Sequence, residues 1–145
     1  MGSATSRTMV ERWMSEVFAQ GNMATLDELL APGFVSLDPS GRIGARGPEA
    51  FKKWLQWYRS SFIDAEWTIH EMIEEGEKVV VRYSGLTTYQ GGLLNIPSRN
   101  QRVTEMGVLI FHLCEGKIQE LCSALCDLEL VLALGAVPVL KADEP

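Results

Sequence analysis

Glu105 is the carboxylate whose sequence context most favours acid/base chemistry. It lies on a predicted strand over residues 102–113, and the side chains that share its face of that strand are apolar. If this face lines a cavity, loss of water raises the pKa of the Glu105 carboxyl toward neutrality, where proton transfer is efficient. The structural alternative is that Glu105 reaches water near the strand end or pairs with Arg82 or Arg102.

Asp38 is the candidate for the second carboxylate of an acid/base pair. It follows a predicted strand over residues 34–37 and precedes Pro39, which ends the strand because proline has no N–H to donate. The structural alternative is an Asx turn, in which the Asp38 side chain accepts hydrogen bonds from the backbone that follows it.

The side chains predicted to bind substrate lie on the elements around this pair. They are aromatic, apolar or able to donate a hydrogen bond: Trp54, Tyr58, Trp67, Arg82, Tyr83, Tyr89, Leu109 and Phe111. Packing roles are the alternative, because helical spacing also suits Trp54 and Tyr58 to a core, and because an arginine on a strand is often salt-bridged. The two histidines are weaker candidates, since His70 is predicted to face solvent and His112 lies on the strand face opposite Glu105.

The order of predicted elements favours an α+β fold. Helices are predicted at residues 8–18 and 24–30, then from Pro48 to about residue 62, and at 128–134 with Asp127 as the cap. Strands are predicted at residues 34–37, 67–73, 79–83, 102–113 and 118–125, with a glycine-rich loop at 40–46. Consecutive strands favour a curved, mostly antiparallel sheet around packed helices. We expect one domain over residues 1–145, with its core at about 8–135 and flexible termini.

Composition narrows the class of partner. The chain carries 13 lysines and arginines against 19 aspartates and glutamates, a net charge of −6 that disfavours nucleic acid and anionic membranes. Cys114, Cys122 and Cys126 form no CxxC pair, so neither a disulfide framework nor a metal site is expected. No phosphate-binding loop or nucleophile elbow occurs, so we expect no cofactor. Without a secretory signal, a cytoplasmic protein is expected.

Several short motifs follow one another in a fixed order along residues 8–135. They are Gly21-Asn22, Leu29-Leu30-Ala31-Pro32, Asp38-Pro39, Arg46-Gly47-Pro48-Glu49, Phe62-Ile63-Asp64, Val79-Val80-Val81-Arg82, Gly116-Lys117-Ile118, and Asp127 with Leu134-Gly135. This series resembles the SnoaL-like polyketide cyclase family, in the nuclear transport factor two-like superfamily. The resemblance implies a cone-shaped α+β barrel, in which a strongly bent sheet wraps around N-terminal helices beside a short C-terminal helix. It also implies homodimers that pack through the sheet.

The resemblance also implies a cofactor-independent cyclase of secondary metabolism, as in antibiotic biosynthesis, with lyase or isomerase chemistry on a hydrophobic polyketide. Ser123 best matches the catalytic aspartate of the aromatic cyclases and joins the substrate-binding set, and Tyr89 replaces the family's histidine. The remaining pair, Glu105 and Asp38, resembles the acids of polyether-type epoxide hydrolases and ether-ring-forming cyclases, which is one alternative. A non-catalytic small-molecule-binding or dimeric scaffold protein is the other.

Overall fold

The chain folds into four helices and one six-stranded sheet over residues 3–137, which are the residues that the computed structural model describes. The helices are α1 (Ser3–Arg12, continuing as the π-helical Trp13–Ala19), α2 (Met23–Leu29), α3 (Pro48–Ser61) and α4 (Asp127–Ala133). The strands are β1 (Leu30–Leu37), β2 (Ile43–Arg46), β3 (Phe62–Glu75), β4 (Lys78–Tyr89), β5 (Arg102–Cys114) and β6 (Lys117–Leu125). None of these helices is long and apolar enough to cross a membrane. The predicted flexibility of the termini falls largely on residues 1–2 and 138–145, which lie outside the described residues.

The strands pair in the order β2-β1-β6-β5-β4-β3. Only β1 and β6 run parallel, with Val35 opposite Glu120, and every other neighbouring pair is antiparallel. The predicted α+β class and mostly antiparallel bent sheet are therefore confirmed. The sheet is open, not a closed barrel, because β2 and β3 are its edges.

The short strand β2 is an element that the sequence pattern does not predict. Its residues belong to a glycine-rich stretch that is predicted to be a loop. The turn after Asp38 nevertheless brings Ala45 opposite Ser36 on β1. The Ser36 hydroxyl accepts a hydrogen bond from the Ala45 N–H at 3.0 Å. Cross-strand pairing thus overrides the weak strand propensity of glycine.

The start of α4 also differs from the prediction. Asp127 is the first residue of the helix, Cys126 occupies the capping position, and no side chain caps the helix by a hydrogen bond. The prediction that Asp127 is the cap is therefore wrong. An acid in the first turn is still favoured by the partial positive charge at a helix N-terminus, and its side chain is left free of the backbone.

The main core lies between the helices and the concave face of the sheet. Trp13 is fully buried there, and its ring contacts the rings of Phe18, Phe51 and Phe111 at centroid distances of 5.6, 5.3 and 5.6 Å. These contacts join the π-helical segment to α3 and to β5. A second, smaller core cluster contains Phe62, Tyr89, Val103 and Leu134.

Gly85 on β4 sets the position of Trp67 on the neighbouring strand. The two residues are opposite each other, and a Cβ atom added at Gly85 would lie 2.2 Å from Cε3 of the Trp67 ring. Glycine inside a strand often marks such a close approach. The flat ring of Trp67 therefore lies over the backbone at Gly85, which on its other side is opposite Glu105 of β5.

Replacing Gly85 by alanine should lower the free energy of unfolding by about 1–3 kcal/mol, because the added methyl group must displace a packed indole ring. Urea unfolding monitored by tryptophan fluorescence measures the change. Gly44→Ala is the matched control, since its added Cβ would meet only Ser36, with the hydroxyl at 3.4 Å and the carbonyl oxygen at 3.9 Å, which are ordinary contact distances. Equal unfolding midpoints for the two variants would contradict the packing role of Gly85.

Candidate active site

A cavity of about 880 Å³ opens on the concave side of the sheet. It has aromatic and aliphatic lining, and its polar groups come from β1 and the turn after it, from α3, β4, β5 and β6, and from the start of α4. The apolar lining includes Phe18, Leu37, Phe51, Trp54, Leu109 and Leu130, and the polar lining includes Ser36, Asp38, Arg42, Tyr58, Tyr83, Glu105, Ser123 and Asp127. This volume lies within the range of small-molecule sites.

Glu105 lies in this cavity with one carboxylate oxygen fixed and the other free. Its Oε2 accepts hydrogen bonds from the Tyr58 hydroxyl at 2.8 Å and from the Thr87 hydroxyl at 2.9 Å. Oε1 accepts no hydrogen bond from any residue in the described range 3–137. The two donors hold the carboxyl group in one orientation, and Oε1 is the oxygen left for a ligand.

The surroundings of Glu105 shift its proton affinity. Burial raises the pKa of the Glu105 carboxyl above its ordinary value, and the negative charge of Asp127 raises it further, while the hydrogen bonds from Tyr58 and Thr87 act in the opposite direction. Burial also raises the pKa of the Tyr58 and Tyr83 hydroxyls, so both remain protonated hydrogen-bond donors.

Asp38 lines the same cavity but has different chemistry. Its Oδ1 accepts hydrogen bonds from the Ser40 N–H at 2.9 Å, the Ser40 hydroxyl at 2.5 Å and the Arg42 N–H at 3.1 Å. The hydrogen bond from the Ser40 hydroxyl is the main reason that the pKa of Asp38 lies below its ordinary value. Asp38 thus builds the turn between β1 and β2, and it is held in its ionised form.

Five of the predicted substrate-binding residues line the cavity: Trp54, Tyr58, Tyr83, Leu109 and Ser123. The Trp54 and Tyr58 rings, one turn apart on α3, stack at a centroid distance of 5.1 Å and an interplanar angle of 14°. They form a flat aromatic wall, and the Tyr58 hydroxyl connects this wall to Glu105.

The other four predicted binding residues lie away from this cavity. Trp67 packs beside Tyr58, next to a smaller hollow of about 380 Å³. Arg82 faces outward, because strand alternation puts it opposite to Tyr83, and its Nε lies 3.4 Å from the Glu71 carboxylate.

Tyr89 and Phe111 are buried in the two core clusters. The Tyr89 hydroxyl donates to the carbonyl oxygen of Ile96 at 2.7 Å and accepts from the Leu93 N–H at 3.0 Å, and so fixes the loop after β4. Phe111 lies against Trp13 on the inward face of β5.

Sequence reasoning misses several residues of the site, and two of them, Thr87 and Asp127, act on Glu105 directly. Thr87 is fully buried, and its inward position follows from alternation with Tyr83 and Gly85, so the strand pattern contains the signal. Asp127 has no such signal, because it is brought to the cavity by the path of the chain. The chain leaves the sheet at Cys126, whose N–H bonds to the Met106 carbonyl oxygen at 3.1 Å, directly beside Glu105.

No metal site is apparent in the part of the chain that the structure describes, since no three His, Cys, Asp or Glu side chains there converge on one point. The polar side chains that line the cavity carry carboxylates, hydroxyls and one guanidinium group, that of Arg42.

The fold and the cavity define a cone-like α+β protein with a carboxylate inside. The profile of the SnoaL-like domain matches residues 10–121, and the chain belongs to this family. No functionally curated protein matches it significantly.

Many solved structures are similar in fold to this chain, among them the following three. TsrD from Streptomyces laurentii has a TM-score of 0.82 at 23% identity, over 94% of this chain and 99% of its own. A provisionally assigned SnoaL-like polyketide cyclase from Jannaschia sp. CCS1 has a TM-score of 0.84 at 24% identity, over 93% of this chain and 94% of its own. An LEH-like epoxide hydrolase from M. tuberculosis has a TM-score of 0.70 at 15% identity, over 90% of this chain and 85% of its own. At these identities the likeness concerns the fold alone.

Replacing Asp127 by asparagine should lower the pKa of Glu105, because it removes the nearby negative charge that favours the protonated form. The measurement is a carbon-13 NMR titration of the glutamate carboxyl groups, with the Glu105 signal assigned from the Glu105→Gln variant. Glu129→Gln, on the same helix, is the matched control and should leave the Glu105 titration unchanged. Equal titration curves for the Asp127→Asn variant and the unmodified protein would exclude this coupling.

Proposed function

We propose that this protein is a cofactor-independent cyclase or isomerase of secondary metabolism, which closes a ring in a hydrophobic, polyketide-like substrate. The observation that carries the proposal is the Glu105 carboxyl group, with its raised pKa and one free oxygen facing an apolar cavity. A carboxyl group that keeps its proton closer to neutral pH is suited to general acid catalysis.

In the proposed reaction, Glu105 donates a proton from Oε1 to the substrate oxygen on which negative charge develops. In an aldol closure this oxygen belongs to the carbonyl group under attack, and the proton arrives as the new C–C bond forms. Asp38, ionised at the mouth of the cavity, accepts the proton released by the attacking group through its remaining oxygen, Oδ2. The Tyr83 hydroxyl and Ser123 provide further polar contacts along the wall.

Shape contributes to the proposed catalysis as well. A flexible chain that folds against the Trp54 and Tyr58 rings brings its reacting atoms together, and such preorganisation can equal or exceed the effect of one general acid. General acid/base assistance itself contributes roughly 10²–10⁴-fold.

Opening of an epoxide, by water or with closure of an ether ring, is the second candidate reaction. The same two carboxylates would serve it, since Glu105 can protonate the epoxide oxygen as its C–O bond breaks while Asp38 accepts a proton from the attacking hydroxyl group. The similar fold of the LEH-like epoxide hydrolase is compatible with this reaction. A non-catalytic binding or scaffold protein would use the cavity without proton transfer, which makes turnover the deciding measurement.

Glu105→Gln should lower turnover at least about tenfold without unfolding the protein, because the amide accepts the hydrogen bonds of Tyr58 and Thr87 but has no acidic proton. Asp38→Asn should lower it to a similar extent. Suitable probes are N-acetylcysteamine thioesters of linear triketides and a panel of aryl and alkyl epoxides, with products identified by mass spectrometry. In the unmodified protein the rate should fall as pH rises through the pKa of Glu105, since only the protonated carboxyl group donates.

Glu115→Gln, at an exposed turn, is the matched control for a lost carboxylate and should keep full activity. Unchanged rates in both the Glu105 and Asp38 variants would reject the carboxylate mechanism and leave catalysis by shape. Stoichiometric binding of the probes with no turnover of any of them would favour the binding protein.

We further propose that two copies associate through the outer face of the sheet. This face carries a band of apolar side chains on adjacent strands, where Ile73, Val80 and Ile110 lie side by side, with Met106 and Leu86 beyond them. Ile73 is 54% exposed in the single chain. An exposed apolar patch of this kind is typical of a subunit interface, although Arg82 and Ser84 interrupt it on β4, and a symmetric pair buries the same patch twice.

Ile110→Lys should convert a dimer to a monomer, because it puts two lysines into the centre of the proposed symmetric contact. Size-exclusion chromatography with light scattering gives the mass directly. Leu94→Lys is the control, since Leu94 is 74% exposed in the loop between β4 and β5, away from this face. A monomeric mass for the unmodified protein at high micromolar concentration would reject the interface.

A further inference from the structure

Arg42 is the only lysine or arginine among the described residues that line the large cavity. It lies on the turn between β1 and β2, at the mouth, while the floor of the cavity is formed by aromatic and aliphatic side chains. The mechanism proposed above gives it no role. Arg42 is thus a cation without an assigned role at the rim of a cavity whose other charged lining residues are acidic.

The Arg42 guanidinium group has no hydrogen bond or close ion pair with any other residue in the range 3–137. Other arginines of the chain do have such partners, for example Arg12 with Glu28 at 2.7 Å and Arg102 with the Asp64 carbonyl oxygen at 2.6 Å. Asp38 is near enough for the charge of Arg42 to lower its pKa, but its carboxylate bonds to Ser40 and to the Arg42 backbone and forms no close ion pair with the Arg42 guanidinium. The five N–H donors of the guanidinium are therefore available to a ligand.

The backbone at Arg42 is fixed, although the side chain is free. Its N–H donates to Oδ1 of Asp38 at 3.1 Å, and its carbonyl oxygen accepts from the Asp38 N–H at 3.0 Å. Gly41, with a φ of 87°, takes the left-handed conformation that closes this turn, and its N–H donates to the Asp38 carbonyl oxygen at 2.9 Å. Because its backbone is held in place, the arginine loses less conformational entropy when its side chain binds a ligand.

The charges around the cavity restrict where a negative group could bind. Asp38, Glu105 and Asp127 all line it, and the whole chain carries a net charge of −6. An anionic group placed deeper, toward Glu105, would have no cation beside it among the described lining residues, which is unfavourable in an apolar setting. Beside Arg42 the same group would meet a planar donor fork, whose geometry matches both oxygens of a carboxylate.

We infer that Arg42 binds a carboxylate group of the substrate at the mouth of the cavity. The substrate class is then an apolar carboxylic acid, with its hydrocarbon part against Trp54 and Tyr58 and its charged end at Arg42. This orientation directs the body of the molecule toward Oε1 of Glu105. The inference rests on the proposed function, because it names the class of substrate for the same site.

The test measures binding and does not depend on turnover. The probes are 2-naphthylacetic acid and its methyl ester, titrated into the full chain by isothermal calorimetry. The acid should bind the unmodified protein more tightly than the ester. Arg42→Gln should weaken binding of the acid at least about tenfold, as expected for a lost charge-assisted pair, and leave binding of the ester unchanged. Arg42→Lys keeps the charge but not the planar donor fork, and its affinity for the acid should lie between those of the unmodified protein and of Arg42→Gln.

Arg46→Gln is the matched control, because Arg46 is an exposed arginine on the same hairpin that does not line the cavity. Equal affinities for acid and ester, unchanged binding of the acid to Arg42→Gln, or no binding of the acid to the unmodified protein would each overturn the inference. Tighter binding of naphthyl phosphate than of the acid would also overturn the choice of carboxylate. Loss of turnover in Glu105→Gln with normal acid binding would separate this site from the catalytic proposal.

Discussion

The contact of Trp13 with Phe51 and Phe111 is the interaction on which the rest of the site depends. It holds the π-helical segment and α3 against one part of the concave sheet face, where large aromatic surfaces leave water together. A bent sheet is wider than these helices, so the part of the concave face beyond them stays uncovered. The cavity is this uncovered part, and its walls are the same elements that build the core.

Glu105 lies where the covered and uncovered parts of the sheet meet. A carboxylate with only apolar neighbours would be strongly destabilising, and the hydrogen bonds from Tyr58 and Thr87 offset part of that cost. They do so at one oxygen only. The result is a group that is held rigidly and has an unsatisfied oxygen toward the cavity, an arrangement that core packing alone does not require.

The mouth of the cavity has a different physical character from its interior. The turn between β1 and β2 is built by Asp38, whose side chain bonds to Ser40 and to the backbone of Arg42. The Asp38 carboxylate thus closes a turn, lines the cavity and holds the backbone of Arg42 in place. On the opposite side, β6 ends and the chain turns into α4, which adds Asp127. Charges are concentrated at this rim because water remains available there.

The periodic features of this protein can be predicted from its amino-acid sequence alone. Alternation along β5 identified the inward face that carries Glu105 and Leu109, the proline at the start of α3 marked that helix, and the consecutive strands implied an α+β fold. Such features are local, since period and turn chemistry act within a few residues. Which inward side chains line the cavity and which pack only in the core depends on how the helices lie against the sheet. Phe111 and Leu109 share a strand face, yet one packs under Trp13 and the other lines the cavity, because the helices cover part of the concave face and leave the rest open. Asp127 lies near Glu105 because β6 ends there and the chain turns into α4. The separation of the two residues along the sequence does not predict this proximity.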